Sequence, residues 1–469
     1  MFLTSTEVPS RRALGHPQEE TSAEGLVRGW MDDLDEEIRS AGRSPEDVRH
    51  VRELLQRGVP SLEVVRPCTL SDGIRTLDER HEAIGWSVVG RTQAFIPASG
   101  AATRLFAPWR RAVREQDLSL APAVDVAPAM PLYVDAGDPM SSLRATLDRW
   151  DAYPKALLPI HAAGRTLVDD HLDECDAMGV SDVHFTTSPR HRQAMEDAVA
   201  GRATLSTQEA RTDTVIFHED LRPVRDAMGM IVFRPSGHGA LLPVLDAVAR
   251  DLVLVKNIDN VVHPNHRDAV LRWRLRMLGQ LAELHGEVVS VLQRGSSIAA
   301  QILLRSRFGI SVAERDALQQ LDRPLRVCGM VRDRGQPGGG PFWVAGSDGY
   351  VRPQIVEACQ LDATDPDHRR ARREATHFHP ADMALAFLGP SGRWPLAPYV
   401  DPSQPLVLQR REQGQVVRSV EQPGLWNGCM AGWNTLFVEL PEHVFQPIKS
   451  IGDVARPAHR SVAGGGHLG

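Results

Sequence analysis

The sequence has no run of ~18 or more apolar residues, and its opening MFLTSTEVPSRRALG lacks the apolar core of a secretory signal. Neither a membrane span nor export by the common route is therefore expected, and the cytoplasm is the expected compartment. Cysteine is scarce. Cys68, Cys175, Cys328, Cys359 and Cys429 lie far apart without a CxxC pair, which argues against a disulfide framework or a thiolate zinc site and leaves them as small buried hydrophobes. A positive excess is also missing: 53 Lys plus Arg stand against 60 Asp plus Glu, a formal charge of −7. That balance offers no general footprint for nucleic acid, while a local basic pocket for one nucleotide stays open. For the same reason the HRRARRE run at 368–374 reads as a solvated face.

What is present is an ordinary folded composition, 42% hydrophobic and 24% charged over 469 residues, enough for two or three packed units of ~100 to 200 residues. Leu26, Trp30, Leu34 and Ile38 recur at helical spacing and predict a helical arm after a loose N-terminus. Thr92 to Ile96 predicts a short strand that stops at Pro97-Ala-Ser-Gly100. From there to about 270, strand-like runs at 183–187, 214–218, 230–233 and 251–259 alternate with helix-like runs at Leu167–Met178, Arg190–Ala200 and Gly239–Arg250. This rhythm predicts an α/β fold with a mostly parallel sheet and helices on its faces, ligand loops lying beyond the carboxyl ends of the strands. Residues 268–300 predict a long helix with Leu271, Leu275, Leu278, Leu281 and Leu284 near one stripe, and 303–325 reads as helical again. Beyond 326, VCGM, FWV, QIVEAC and NTLFVEL predict short strands, and 461–469 reads as a mobile tail.

Several clusters carry possible chemistry. Ile96-Pro-Ala-Ser99-Gly100-Ala101-Ala-Thr-Arg104-Leu105 is a small-residue loop ending in a guanidinium; it suits an anion held by peptide N–H groups and a rigid donor fork, or a plain structural turn. It matches neither GxGxxG nor GxxxxGK. Lys155, set between Pro154 and Pro159, is either a surface charge or an ammonium aimed at a phosphoryl group. Gly237-His238-Gly239 after FRPS fits a ligand-facing loop or a capped tight turn. Asp259 ends the strand-like LVLVKNID, where a carboxylate needs hydrogen bonds or a cation; Mg²⁺ suits it, and a turn cap with Asn257 and Asn260 is the alternative. Gly339, in QPGGGPFWV, belongs to a backbone loop suited to an anion or a sugar, or to a connector. Glu357 in QIVEAC fits sugar-hydroxyl bonding or a core network. Asn434 opens NTLFVEL and could join a metal shell, bind phosphate or ribose, or cap a turn. Lys449 follows the bend at Pro447 as a second phosphate cation. His377 and His379 would share a strand face, yet without a third ligand or an HExxH helix they do not make a zinc site.

Taken in order, FRPSGHGALL, VKNIDNVV, GQPGGGPFWV, PGLWNGCMAGWNTLFVELP and FQPIKSIGD resemble a bacterial family of unknown function, domain of unknown function 4301, over roughly residues 85–460. More distantly the pattern resembles the nucleotide-sugar pyrophosphorylases, especially their UDP-sugar branch. That resemblance implies a glycosyltransferase-A-like nucleotidyltransferase fold with a mixed, mostly parallel central sheet and an N-terminal helical region. It divides the chain into a helical arm (1–84), a nucleotide side (85–325), a part completing the core on the sugar-phosphate side (326–460) and the tail. It sets SGAATR where the family has a glycine-rich nucleotide loop, PKALLPI at its PK segment, GHG at its base- and sugar-side loop, and NIDN at its metal-binding strand end. Arg104, Lys155, His238 and Asp259 are thereby selected. Likeness of NTLFVEL to the NTN-containing strand and of FQPIKSIGD to the PVKT segment adds Asn434, with Asn427 as its alternative, and Lys449. The implied reaction joins a nucleoside triphosphate and a sugar 1-phosphate with Mg²⁺ into a nucleotide sugar, in a monomer or small homo-oligomer that binds neither nucleic acid nor membrane. The alternative is a noncatalytic nucleotide or sugar-nucleotide binder on the same fold.

Overall fold

The computed structural model describes residues 34–100, 102–161, 164–335, 338–412 and 415–460. The expectations for Leu26, Trp30, Ala101 and the 461–469 tail concern residues outside those described.

A mixed central sheet organises the chain. Its strands lie in the order Ile74–Arg75, Asn434–Glu439, Leu325–Arg332, Met383–Ala386, Leu252–Val255, Thr92–Pro97, Asp182–Thr187 and Thr204–Thr207, with His377–Phe378 paired to Leu325–Arg332. All of the neighbours along this order are parallel except at Met383–Ala386, which runs antiparallel to both sides. This is the mixed, mostly parallel α/β sheet with helical flanks expected from the sequence.

Alternation along the strands builds two cores. Ala94, Ile96, Leu252 and Leu254 face the larger one with the helices Leu167–Met178 and Arg267–Arg294, while Phe95, Val253 and Val255 face the other with Leu241, Leu245 and Trp433. Thr166 starts the first of those helices through a reciprocal cap with Asp169, and the five leucines of the 268–300 stripe are all buried.

Three helical or strand boundaries depart from expectation. The long helix stops at Arg294 because Gly295 takes a left-handed conformation (φ 63°), and a separate helix follows at Ser297–Leu303. The 303–325 segment is broken by Gly309 (φ 70°), leaving a short helix at Ala317–Leu321. The apolar run at 214–218 does not join the central sheet: Thr214–Val215 pairs with Phe233–Arg234, and Phe217–His218 with Arg418 and Val417. Those pieces instead meet Leu34, Ile38, Val48 and Leu55 of the N-terminal arm in a small core of their own.

Register decides which loops meet. Asn434 pairs with Leu325, Leu325 with Ala386, and Ala386 with Leu252 across one end of the sheet. Cys328, Met383, Val255, Phe95 and His184 follow one another three to four residues further along the parallel strands. The segments after Pro97, Val255, Arg332 and Glu439 therefore emerge at one edge, the carboxyl edge, and the segment before Met383 enters there.

Candidate active site

At that edge the loop after Thr92–Pro97 is tied to the Tyr153–Lys155 segment by two backbone bonds: Ala102 N–H donates to the Tyr153 carbonyl (3.4 Å) and Lys155 N–H to the Gly100 carbonyl (3.2 Å). Pro154 fixes the local backbone, and the Lys155 ammonium reaches Asp259 Oδ2 at 3.1 Å. Asp259 sits just beyond the strand Leu252–Val255; its carbonyl accepts from Ile448 N–H (2.9 Å), which draws the Pro447–Lys449 bend onto it. Asp453 Oδ2 in turn accepts from the N–H groups of Lys449 (2.9 Å) and Ser450 (2.6 Å).

Lys449 reports on the field at this point. Its ammonium lies 5.5 Å from the ring centroids of both Phe378 and Phe445. Burial holds its pKa below the usual lysine value; Lys155 and Arg104 push the same way, and Asp259 and Asp453 oppose them. Arg104, Lys155, Lys449 and Asp259 thus share one electrostatic neighbourhood, although 345 positions of sequence separate Arg104 from Lys449. Arg104 itself is exposed.

The opposite wall is built from the glycine-rich segments. A methyl group at Gly239 would overlap the Pro423 carbonyl, and one at Gly237 would overlap the Glu421 carboxylate, so these two glycines permit the close approach of the 421–426 segment. His238 stacks on Trp426 with centroids 3.8 Å apart and planes 10° from parallel. Its Nδ1 accepts from Leu425 N–H (2.7 Å), so the neutral ring carries its proton on Nε2, and burial pushes its pKa down to about 3. Trp426 and Asn427 reach the Glu357 carboxylate. Burial raises the Glu357 pKa, while Trp426, Lys449 and Asn427 pull against it, which puts Glu357 within the field of Lys449. Gly339 pairs with Glu357 across the hairpin and gives its carbonyl to His379 N–H (2.8 Å).

This wall is short of donors. Asn427 donates its amide to the Ile355 carbonyl (3.0 Å), but its Oδ1 is buried without a hydrogen-bond partner. His379 donates Nδ1–H to the Gly329 carbonyl (3.1 Å), its ring centroid 6.2 Å from that of Trp426 with the planes 64° apart, leaving the buried Nε2 lone pair unpartnered. Burial also holds His379 neutral, with a pKa of about 3. Nearby, Ser99 and Gly100 lie in the irregular segment that follows Pro97.

Asn434 does not belong to this group. It begins its strand at the other end of the sheet, paired with Leu325, and its amide donates to the Gln320 (3.2 Å) and Leu321 (3.0 Å) carbonyls. It is correspondingly no partner for Asp259; Asn427, the alternative, is the asparagine on the site side. Nor do His377 and His379 converge on a metal, since His377 Nε2 faces Glu439 (3.4 Å) and His379 faces a peptide carbonyl. Among the described residues no group of three or more His, Cys, Asp or Glu side chains is arranged to hold a metal ion. Sequence reasoning missed Glu421, which lies over Gly237 and within the field of Arg104, and the buried pair Asn260 and Asp382. Glu421 stands two residues before the quoted PGLWNG run, and the spacing of GHG glycines alone does not say which carboxylate they approach.

A family model described as "Domain of unknown function (DUF4301)" matches residues 31–128 and 143–460. The chain belongs to this family. No functionally curated protein matches this DUF4301 sequence. Among solved structures, it is similar to UDP-glucose phosphorylase from Trypanosoma brucei at 12% identity and TM-score 0.48, covering 91% of this chain and 78% of that one. UDP-glucose pyrophosphorylase from Leishmania major matches at 12% identity and TM-score 0.44, covering 92% and 79%. A putative UDP-N-acetylglucosamine pyrophosphorylase from Entamoeba histolytica matches at 11% identity and TM-score 0.42, covering 80% and 82%.

Proposed function

We propose that this DUF4301 protein is a nucleotidyltransferase that joins a nucleoside triphosphate to a sugar 1-phosphate and releases pyrophosphate. The observation that carries this reading is the meeting of Arg104, Lys155 and Lys449 around Asp259 at the carboxyl edge of the sheet. Three cations against the Asp259 and Asp453 carboxylates, the second already committed to peptide N–H groups, suit polyanions, and the unpartnered acceptors of Asn427 and His379 beside Glu357 suit a ligand rich in hydroxyl groups.

Mg²⁺ fits the residues present. Lys155 takes Asp259 Oδ2, but Oδ1 is buried without a hydrogen-bond partner, and Mg²⁺ characteristically binds one or two carboxylate oxygens and fills its shell with water and phosphate oxygens. Asp259 would hold the ion, which when bound supplies charge neutralisation between phosphate groups.

In the proposed step, an oxygen of the sugar phosphate forms a bond to the α-phosphorus in line with the departing group. The bond from that phosphorus to the bridging oxygen breaks, and its electron pair leaves on pyrophosphate. The nucleophile is already anionic, so no side chain has to remove a proton. Arg104, Lys155 and Lys449 hold the phosphates and meet the charge that gathers on pyrophosphate, while the loop bonds Lys155–Gly100 and Ile448–Asp259 keep those cations in register. His238, neutral and protonated on Nε2, offers one donor from the sugar-side loop. A matrix of nucleoside triphosphates and sugar 1-phosphates with Mg²⁺, read as pyrophosphate release and the mass of the product, tests this reading. Release that requires both substrates supports it; nucleotide-induced thermal protection with no release for any pair favours the binding-only alternative.

A further inference from the structure

Behind the candidate site lies an ionic network that none of its proposed chemistry uses. Glu174 on the helix Leu167–Met178, Lys256 after the strand Leu252–Val255, Arg274 on the helix Arg267–Arg294 and Asp382 before the strand Met383–Ala386 are each 2–6% exposed. Lys256 Nζ donates to Glu174 Oε2 at 2.5 Å, and Arg274 donates to Glu174 Oε1. Arg274 Nε lies 3.6 Å from Asp382 Oδ1, beside a cavity of about 20 Å³ that has room for one bridging water. Asp382 Oδ2 accepts from Asn260 Nδ2 (2.9 Å), and Asn260 Oδ1 accepts from Gln446 N–H (3.0 Å). His171 Nε2 meets the Ile258 carbonyl at 3.0 Å, one residue before Asp259. A continuous chain of polar contacts therefore runs from two core helices to both sides of the contact between Asp259 and the Lys449 bend.

Two positive and two negative charges balance within this network. Burial raises the Glu174 pKa, but Arg274 and Lys256 outweigh it and hold the carboxyl at about 2. Such a network adds little net stability over apolar side chains of equal volume, so stability alone accounts poorly for four charges at this depth. What fixed carboxylate and amide geometry does provide is direction. Asn260 has both ends of its amide engaged, one toward the core and one toward the 446–449 segment, and it is 1% exposed.

We infer that Asn260, held by Asp382 and the ion network behind it, is a positioning residue that clamps the Gln446–Lys449 segment against Asp259 and so sets where the Lys449 ammonium stands. The inference rests on the proposed reading of the site insofar as Lys449 is taken to meet a phosphate. Asn260→Ala removes both ends of the clamp. Asn260→Leu keeps the branched shape and the volume while losing the donor to Asp382 and the acceptor for Gln446 N–H, so it serves where the alanine variant fails to fold for want of packing.

Two measurements on the full chain decide it. Limited acetylation by acetic anhydride, read at Lys449 by peptide mass, should run about fivefold faster in either folded variant, the release of one hydrogen bond. Inorganic pyrophosphate with Mg²⁺, titrated calorimetrically, should bind about fivefold more weakly to Asn260→Ala, with no further loss when Lys449→Met is already present. Unchanged Lys449 acetylation, or an equal loss of pyrophosphate affinity with and without Lys449→Met, overturns the clamp. If the parent protein fails to bind pyrophosphate, the functional reading falls, and the acetylation rates alone still decide the positioning role.

Discussion

Asp259→Asn separates folding from chemistry at the centre of the site. The substitution keeps the shape, and a carbonyl oxygen still accepts from Lys155 at the position of Oδ2, 3.1 Å from the ammonium. What is lost is the carboxylate charge: the ion pair becomes an ammonium-to-carbonyl hydrogen bond, still charge-assisted through its donor, a change of about 1 kcal/mol. Unfolding entropy of about 2.1 cal/mol/K per residue over 469 residues comes to about 1 kcal/mol per degree, so Tm should fall by only about 1 °C. Turnover is exposed to a much larger loss. Removing the carboxylate that would hold Mg²⁺, and with it the counter-charge that orients Lys155, withdraws an interaction of the class that supplies ~100- to 1000-fold in rate. The assay is pyrophosphate release at saturating substrates across a Mg²⁺ titration, with circular dichroism melts alongside. Lys155→Met is the informative comparator: it loses a phosphate cation, yet it frees Asp259 Oδ2, so its rate should fall while half-saturation shifts to lower Mg²⁺. A rate for Asp259→Asn within about threefold of the parent, at an unchanged Mg²⁺ midpoint, would refute the assignment.

Gly239→Ala places a methyl group on the Pro423 carbonyl and should displace the 423–426 segment at about 1–3 kcal/mol. Loss of the His238 ring-current shift from Trp426 by NMR, together with weaker sugar 1-phosphate binding, is the expected result. Asn434→Ala strands the Gln320 and Leu321 carbonyls without their buried donor and should cost about 2–3 kcal/mol in urea denaturation, with the Mg²⁺ dependence of turnover unchanged. Because burial lowers the Lys449 pKa, a bound polyanion should raise it and take up a proton. Pyrophosphate binding should therefore weaken as pH rises through the lowered pKa of the free protein, with proton uptake visible as a dependence of binding heat on buffer ionisation enthalpy.

The elements that were legible in the sequence are those whose signal is local. The leucine stripe marks the helix from Arg267, and the apolar run ending at Asp259 marks a buried strand. The breaks at Gly295 and Gly309 depend on glycines taking positive φ, which hydrophobic periodicity does not register. Site membership required non-local register. Asn434 and Asp259 both flank apolar strands and look equivalent as sequence; but one precedes its strand and the other follows, and in parallel strands this puts them at opposite edges. Asn260 looked like a turn residue because its two partners, Asp382 and Gln446, lie 122 and 186 positions away.

The candidate site is polarised, and under the proposed function that polarity bears on what it takes. Around Asp259, three cationic side chains face two carboxylates, one of them, Asp453, already committed to the peptide groups of Lys449 and Ser450. Toward Glu357 the balance reverses, with unpartnered acceptors on Asn427 and His379 and two imidazoles held neutral by burial. Lys449 belongs to both fields, since Asp259 and Glu357 each feel it. A simple polyanion would satisfy the first region and leave the second without donors; a neutral sugar would do the reverse. Under the proposed function, one molecule that is phosphorylated at one end and hydroxylated at the other would complete both, and its phosphate would stand beside Lys449, where a second phosphate chain approaching from Arg104 and Lys155 would meet it.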